Sequence, residues 1–364
     1  MGGVEHRAAE PCASATWAGA STRDATDAEP GSGDARARAA RPVEAGRFDP
    51  GGGGLERATS GGRWRGTLVI WIVIGCVTLS SLLAPVPATA QVSGRDELTV
   101  LGTNVAIGGA TAGIVAAIRG KPIISAVAKG AGGGLLIYGG KHLASIYAFP
   151  TLGIPARIMA ALGASMIRNG AAGRGAFEMV VVPVGPLTFY HAPDSAGHAP
   201  VKINLLRTIV IAALIVHDRT EFDLEETMFL GAPVFRTPDD LVSVSGSEAV
   251  IGLAFAGSMI LSDRAVLNAV MGHDHFPFLV AHERVHVLQD IFAEVAVTGP
   301  IEHWLIGLLP RGDQIARYVE LGFVHAAAAV PLLSTVIPHD RRPWELEADH
   351  FATRYEEINA RWAF

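Results

Sequence analysis

A histidine-glutamate-x-x-histidine sequence is the clearest chemical signal in this chain. His282 and His286 are four positions apart within AHERVHVLQD, and Glu283 directly follows the first histidine. Pro277 suits a first helical turn, and neither Gly nor Pro follows it up to Val297, which predicts one continuous helix. On that helix both imidazoles project from the same face, where they can bind one tetrahedral zinc ion, and Glu283 flanks this face.

The same five residues also fit a helix that binds no metal. In that alternative the two histidines are ordinary core or surface side chains and the glutamate is exposed. Arg284 favours this alternative, because the stricter zinc-peptidase pattern prefers an uncharged residue at that position. The motif therefore needs a third ligand from elsewhere in the chain.

A second acidic motif lies near the C-terminus, in RRPWELEADHFATRY at residues 341–355. In a helix, Glu345 and Asp349 share a face because they are four residues apart, whereas Glu347 points to another side. Two histidines leave zinc short of a protein ligand, and an acidic side chain from a second helix is one common way to supply it. This spacing permits Glu345 to bind the metal while Asp349 accepts a hydrogen bond from a ligand imidazole.

Together the two motifs resemble those of gluzincin zinc metallopeptidases, whose second motif is E-x-x-x-D and often E-x-x-A-D. The group that contains membrane-associated heat-shock and CAAX-type proteases is the most similar. The resemblance covers residues 277–364, and a long spacer of 58 residues separates the motifs and leaves the subfamily and substrate open. It implies a zincin-like helical core that hydrolyses peptide bonds with Zn2+. The implied roles are metal ligands for His282, His286 and Glu345, general base for Glu283, and orientation of a ligand imidazole for Asp349.

The donor that would stabilise a tetrahedral oxyanion is not determined by the sequence. The candidates in the C-terminal part of the chain are His303, His325, His339, His350, Tyr318 and Tyr355. An isolated residue of these types is more often an ordinary surface or core side chain. The sequence His273-Asp274-His275 allows a second metal site, but it fits better as the turn that enters and caps the motif helix.

The first ninety residues are predicted to be an extension followed by an export signal. Residues 1–61 are rich in Gly, Ala, Arg and Asp, which predicts a disordered region or an extension upstream of the true translation start. Residues 62–90 have a basic end, an apolar run and Ala88-Thr89-Ala90, the layout of a signal peptide cleaved before Gln91. An uncleaved membrane anchor is the alternative. A lipoprotein signal at Cys76 is a weaker one, because the apolar run continues beyond it.

Both cysteines, Cys12 and Cys76, precede the predicted cleavage site. A chain cleaved there has no thiol, which excludes a disulfide framework, cysteine catalysis and cysteine-rich zinc modules. Nucleic acid is not expected as a partner, because the chain is predicted to be exported and aromatic residues are not interleaved with its basic ones.

Residues 91–177 are predicted to form a glycine-rich, basic helical segment. Residues 98–177 contain 16 glycines and seven basic residues without an acidic one. Small residues spaced four apart permit close helix packing, and we expect two short helices that form a hairpin around Gly120-Lys121-Pro122. Two alternatives stay open: residues 98–148 associate with a membrane, where their cations favour anionic lipid, or they pack on the soluble domain.

The rest of the chain is predicted to change from strands to helices, and its net charge is −12, from 12 basic and 24 acidic residues. Residues 178–263 contain β-branched runs that indicate several strands of one sheet, although residues 207–216 fit a buried helix equally well. Residues 264–364 are predicted to be helical. The helices are expected at residues 264–271, 277–297, 301–309, 313–333 and 343–363. The uncharged run at 321–338 fits a buried helix better than a membrane span.

The predicted fold class is α+β, with a sheet-rich middle region, a helical C-terminal zinc-site region and a glycine-rich N-terminal hairpin. The function predicted is that of an exported zinc metallopeptidase, periplasmic or extracellular and close to a membrane, that acts on peptides or proteins. One alternative is a non-catalytic envelope protein with structural zinc. A second is a scaffold that holds no metal.

Overall fold

The computed structural model describes most of the chain after residue 93. The described residues are 94–147, 149–192, 199–217, 219–238, 241–242, 249–250, 252–263, 276–323, 342–356 and 358–359. Several predictions therefore lie outside the described residues. They are the N-terminal extension at 1–61, the signal at 62–90, the helix at 264–271, His273-Asp274-His275, His325, His339 and most of the run at 321–338.

The glycine-rich segment forms the expected hairpin, with helices longer than predicted. Helix α1 spans Gly94–Ile118 and helix α2 spans Ile123–Ser145. The chain reverses at Gly120, whose φ of +64° lies in the left-handed region that favours glycine. A 3₁₀ turn at Pro150–Leu152 leads into a third helix, α3, at Gly153–Ala172.

Glycine allows these helices to approach each other closely. A Cβ atom at Gly108 would collide with the carbonyl oxygen of Gly130, and one at Gly134 would collide with the carbonyl oxygen of Asn104. The small residues spaced four apart therefore bring the backbones of α1 and α2 into direct contact. Three segments are also long and apolar enough to cross a membrane, which is compatible with membrane association. They are Gly94–Ile118, Ile123–Ser145 and Pro150–Ala172.

The middle region mixes strands with short helices. Its elements are β1 (Val180–Val184), β2 (Leu187–His191), β3 (Val201–Asn204), α4 (Leu205–Val216), β4 (Glu221–Phe222), α5 (Leu224–Leu230), β5 (Val234–Thr237), β6 (Leu241–Val242), β7 (Ala249–Val250), β8 (Gly252–Phe255) and β9 (Ser258–Ser262). The expected single sheet is wrong, because the described strands form separate sheets. A mixed sheet has the order β1-β2-β3-β10, where β10 is Val319–Glu320 in the C-terminal region. A second sheet has the order β4-β5-β9-β8, and β6 pairs with β7.

Local signals explain two helices in this region, of which the first is the run at 207–216 that the sequence left open between a strand and a helix. The run at 207–216 is helical because the side chain of Asn204 caps α4 by accepting a hydrogen bond from the backbone N–H of Arg207. Residues 226–236, ETMFLGAPVFR, are one of the runs expected to be strands, but this run begins instead within helix α5. Asp223 caps this helix, which ends at Gly231 with a φ of +69°, and only then does β5 begin.

The C-terminal region contains α6 (Phe276–Phe292), a π-helical turn (Ala293–Thr298), α7 (Gly299–Gly307), α8 (Gly312–Tyr318), β10 (Val319–Glu320) and α9 (Pro343–Arg354). The helix predicted at 313–333 is wrong at residues 319–322, and residues 324–333 lie outside the described part of the chain. At residues 319–320 the chain pairs in parallel with β3, and Gly322 adopts a φ of +74°. The fold is therefore mixed α+β, as predicted, whereas the zincin-like core stays a prediction.

Helix α6 is buried between the helical and the strand-rich parts of the fold. On one side Leu288 and Ile291 join an apolar cluster with residues of α2 and α3. On the other side Leu279 and Val280 join a cluster with residues of β5 and β9. Packing from both sides fixes the position and the rotation of the helix that carries the histidine motif.

Candidate metal centre

Three side chains from α6 and α9 converge on one point. The Nε2 atoms of His282 and His286 lie 2.9 Å apart. The Oε2 atom of Glu345 lies 3.2 Å from His282 Nε2 and 3.0 Å from His286 Nε2. Each side chain is only 10 to 14% exposed. Among the described residues, these three form the one group of histidines and carboxylates close enough to hold a metal ion together.

The spacing of these atoms fits ligands of a single small cation. Tetrahedral zinc with bonds of about 2.0 to 2.1 Å separates its ligand atoms by about 3.3 Å, only a few tenths of an ångström more than is seen here. Two imidazole nitrogens and one carboxylate oxygen also leave a fourth tetrahedral position free for a small molecule. The structure thus brings together His282, His286 and Glu345, as the sequence predicts. Zinc binding by these residues stays a prediction.

Asp349 lies where the sequence predicts the partner of a ligand imidazole. Its Oδ1 atom is 2.9 Å from His282 Nδ1, which leaves Nε2 of the same ring directed at the three-atom cluster. Burial lowers the pKa of His282, but Asp349 and Glu345 outweigh it and raise the pKa to about 10. The carboxylates therefore give the cluster a negative electrostatic potential, which attracts either a proton or a metal cation.

Glu283 is buried beside the cluster. An oxygen of its carboxylate, Oε2, has no hydrogen-bond partner, while the backbone N–H of Ala254 in β8 donates to the carboxylate group. Burial raises the pKa of Glu283, although the nearby histidines act in the opposite direction. A buried carboxylate with a free oxygen and a raised pKa has the properties of a general base.

Strand β8 passes very close to Glu283, and Gly252 makes this approach possible. A Cβ atom at Gly252 would lie 2.7 Å from Glu283 Oε1 and 2.6 Å from Leu279 Cδ1. Both distances are too short for ordinary contacts, so a side chain at this position would displace Glu283. The sequence gives no sign of this contact, because Gly252 lies far from both motifs along the chain.

Arg284, the charged residue that disfavours the metal site in the sequence, does not point into it. Its side chain is fully buried, and its Nε atom donates a 3.0 Å hydrogen bond to Glu226 Oε1 on α5. The guanidinium group also lies over the ring of Tyr147. Glu226 thus neutralises the cation within the core, and the positive charge does not disfavour a metal at the histidines.

Gln289 is a residue of this site that the sequence motifs do not indicate. Its Oε1 atom lies 2.7 Å from His286 Nδ1, and its Nε2 atom donates to Glu347 Oε2 at 2.8 Å. Glu347 lies on another side of α9 from Glu345, as the helical spacing predicts, but only 16% of its side chain is exposed. It also accepts hydrogen bonds from Lys141 and Asn104 in the hairpin. Gln289 is one helical turn after His286, and this spacing is the one signal in the sequence that could have found it.

The described candidates for oxyanion stabilisation make contacts of other kinds. His350 Nε2 faces Glu97 at 3.2 Å, and the hydroxyl of Tyr355 lies 2.8 Å from His142 Nδ1. These contacts fasten α9 to the hairpin. Tyr318 is exposed on α8, and His303 is exposed on α7 at a separate small cavity. These contacts of His350 and Tyr355 do not support the predicted role.

Comparison of the chain with protein-family models, curated proteins and solved structures found no match. The similarity to gluzincin peptidases therefore rests on the two motifs alone and stays a prediction. The arrangement of His282, His286 and Glu345 is an observation that is independent of that similarity.

Proposed function

We propose that this protein is a zinc-dependent hydrolase that cleaves peptide bonds, with Glu283 as its general base. The observation that carries the proposal is the convergence of two imidazole nitrogens and one carboxylate oxygen to within 3.2 Å of each other. A zinc ion held by His282, His286 and Glu345 would supply Lewis acidity and lower the pKa of a bound water.

The residues of the chain have distinct tasks in this proposal. Asp349 orients His282 so that its Nε2 lone pair faces the cation. The free Oε2 atom of Glu283 takes the proton of the attacking water and later delivers it to the leaving amine. The Ala254 N–H group and the close passage of β8 fix the direction of the Glu283 carboxylate.

The position of β8 supports a peptide as the substrate. It lies at one end of the order β4-β5-β9-β8, so one side of β8 lacks a partner strand among the described strands. An extended peptide can pair with such an edge through backbone hydrogen bonds. Because β8 contacts Glu283, a peptide bound there would lie beside the metal ligands.

A membrane location is part of the proposal, together with export. The structure has three helices of sufficient length and apolarity. Several apolar side chains on these helices are exposed, including Leu98, Ile124, Leu135 and Ile158. Such side chains are stable in contact with lipid. Flotation of the full-length protein with vesicles that contain anionic lipid tests this part, and protein that stays entirely in the unbound fraction would contradict it.

Metal analysis and peptide hydrolysis by the purified full-length protein test the catalytic part. We expect about one equivalent of zinc and cleavage of members of a mixed peptide library. Glu283→Gln should keep the zinc and reduce turnover by about 10² to 10⁴-fold, because it removes the base and spares the ligands. Glu225→Gln, at an exposed glutamate on α5, is the matched control and should remain fully active.

Three results would contradict the proposal. Zinc below about half an equivalent would favour a protein without a metal site. A Glu283→Gln variant that keeps full turnover would remove the assigned base. Bound zinc without any hydrolysis would favour the alternative in which the metal is structural.

A further inference from the structure

The orientation of the Gln289 side chain is determined by its partners. Its amide group faces the backbone carbonyl of Trp344 at 3.1 Å and Glu347 Oε2 at 2.8 Å. Both partners only accept hydrogen bonds, so the NH2 end of the amide must face them and the oxygen must face His286. The amide oxygen accepts from Nδ1 of His286, which leaves the Nε2 lone pair available to a metal.

Glu347 in turn is held by the glycine-rich hairpin. The Nζ atom of Lys141 on α2 donates to Glu347 Oε2 at 2.6 Å, and Nδ2 of Asn104 on α1 donates to Oε1 at 2.6 Å. Lys141 also donates to Asn104 Oδ1 at 3.0 Å. Only 5% of the Lys141 side chain and 16% of the Glu347 side chain are exposed, so water has limited access to this ion pair. A buried carboxylate with a cation and two amide donors has its position closely fixed.

The hairpin has this network because its helices cross at glycines. Gly134 packs against the backbone of Asn104, and Lys141 follows Gly134 by seven residues, two turns further along the same face of α2. The close crossing therefore places the amide of Asn104 and the ammonium of Lys141 at the same carboxylate. Larger residues at the crossing would separate these two donors.

We infer that Gln289, Glu347 and Lys141 form a positioning chain that links the glycine-rich hairpin to His286. Gln289 sets the orientation of the imidazole, Glu347 sets the orientation of Gln289, and Lys141 neutralises and holds Glu347. The hairpin is thus a structural part of the metal centre. This inference depends on the zinc-binding part of the proposed function and not on peptide hydrolysis.

Zinc affinity and the spectrum of bound cobalt test the chain in the full-length protein. Gln289→Met keeps the length of the side chain and removes the acceptor from His286. We expect zinc affinity, measured by chelator competition, to fall about 10 to 100-fold. The visible absorption bands of the Co2+-substituted protein should shift, because the geometry of one imidazole ligand changes. Lys141→Met should also lower zinc affinity and shift the cobalt absorption bands in the same direction, but by a smaller amount.

Arg207→Met is the matched control, because it removes a buried cation that pairs with Glu294 instead of Glu347. It should lower the melting temperature but leave zinc affinity within about twofold and the cobalt spectrum unchanged, since no ligand imidazole depends on it. A merely structural role for Gln289 would give the same pattern as Arg207→Met. Circular dichroism confirms that each variant is folded.

The outcomes separate the inference from the proposed function. If the native protein binds zinc, and Gln289→Met binds it with equal affinity and an identical cobalt spectrum, the inference is overturned but the proposed function is not. If the native protein binds zinc but does not hydrolyse peptides, the proposed function is contradicted. The positioning chain is still supported in that case if Gln289→Met weakens zinc binding. Native protein that binds no zinc overturns both.

Discussion

The two histidines of the candidate metal centre are oriented by regions of the molecule that differ in burial. Asp349, the partner of His282, comes from α9, the helix that also supplies Glu345, and its side chain is 42% exposed. His286 faces Gln289, which is connected through Glu347 to Lys141 in the hairpin. One imidazole thus has a single, partly exposed partner, and the other depends on a largely buried network across three parts of the fold.

This difference predicts unequal effects of substitution. A partly exposed carboxylate can be replaced by water, which costs little stability. A buried charge whose partner is removed has no such replacement and remains uncompensated in the core. Substitutions on the His286 side should therefore affect both folding and metal binding, whereas substitutions on the His282 side should affect metal binding alone.

The largest effect on stability is expected at the buried arginine of α6. Glu226→Leu leaves Arg284 fully buried without its carboxylate partner, and such a loss costs about 3 to 5 kcal/mol. Chemical denaturation of the metal-free protein measures the change in the free energy of unfolding. Glu225→Leu, one position earlier and exposed, is the control. A loss below about 1 kcal/mol for Glu226→Leu would mean that water reaches Arg284.

A slightly smaller loss is expected at the buried carboxylate of the hairpin network. Glu347→Leu leaves the Lys141 ammonium unpaired and removes an acceptor from Gln289, and we expect a loss of about 3 kcal/mol. The same denaturation experiment measures it. Asp349→Leu on the same helix provides the comparison and should lose less than about 1 kcal/mol. Equal losses for the two variants would contradict the division into a buried and an exposed side.

The pairing of candidate ligand residues within each helix follows from local rules and could therefore be predicted from the sequence. Residues four apart in a helix share a face, and this spacing alone pairs His282 with His286, and Glu345 with Asp349. That the two helices meet is not a local property. It depends on packing between segments 59 residues apart, and the sequence supported it only through the resemblance of the two motifs.

The orientation of His286 could not be predicted, because it is determined by packing of the hairpin. Lys141 and Glu347 are separated by 206 positions, and no pattern in the sequence pairs them. The glycines predicted close helix contact, but they did not indicate which side chains would meet there. Arg284 disfavours the metal site in the sequence because the stricter pattern prefers an uncharged residue there. Its neutralising partner Glu226 could not be identified, since that glutamate lies on a short helix within a run that is expected to be a strand.

A moderate effect on activity is expected where β8 crosses α6. Gly252→Ala places a methyl group within 2.7 Å of Glu283 Oε1, so the carboxylate or the strand must move at a cost of about 1 to 3 kcal/mol. Zinc content should stay unchanged while peptide turnover falls at least tenfold. Leu253→Ala, at the neighbouring exposed position, should leave turnover nearly unchanged. Full activity of Gly252→Ala would show that Glu283 does not need this contact.

The smallest effect on stability is expected on the exposed side of the cluster. Asp349→Ala removes the carboxylate 2.9 Å from His282 Nδ1, so zinc affinity should fall about tenfold, at the low end of the range for such partners. The free energy of unfolding of the metal-free protein should change by less than about 1 kcal/mol, because water replaces the carboxylate. In the double variant Asp349→Ala with Gln289→Met, the two fold-losses of zinc affinity should multiply, since each substitution acts on a different imidazole. A double variant that binds zinc no more weakly than Gln289→Met alone would mean that the two histidines are oriented together rather than from separate sides.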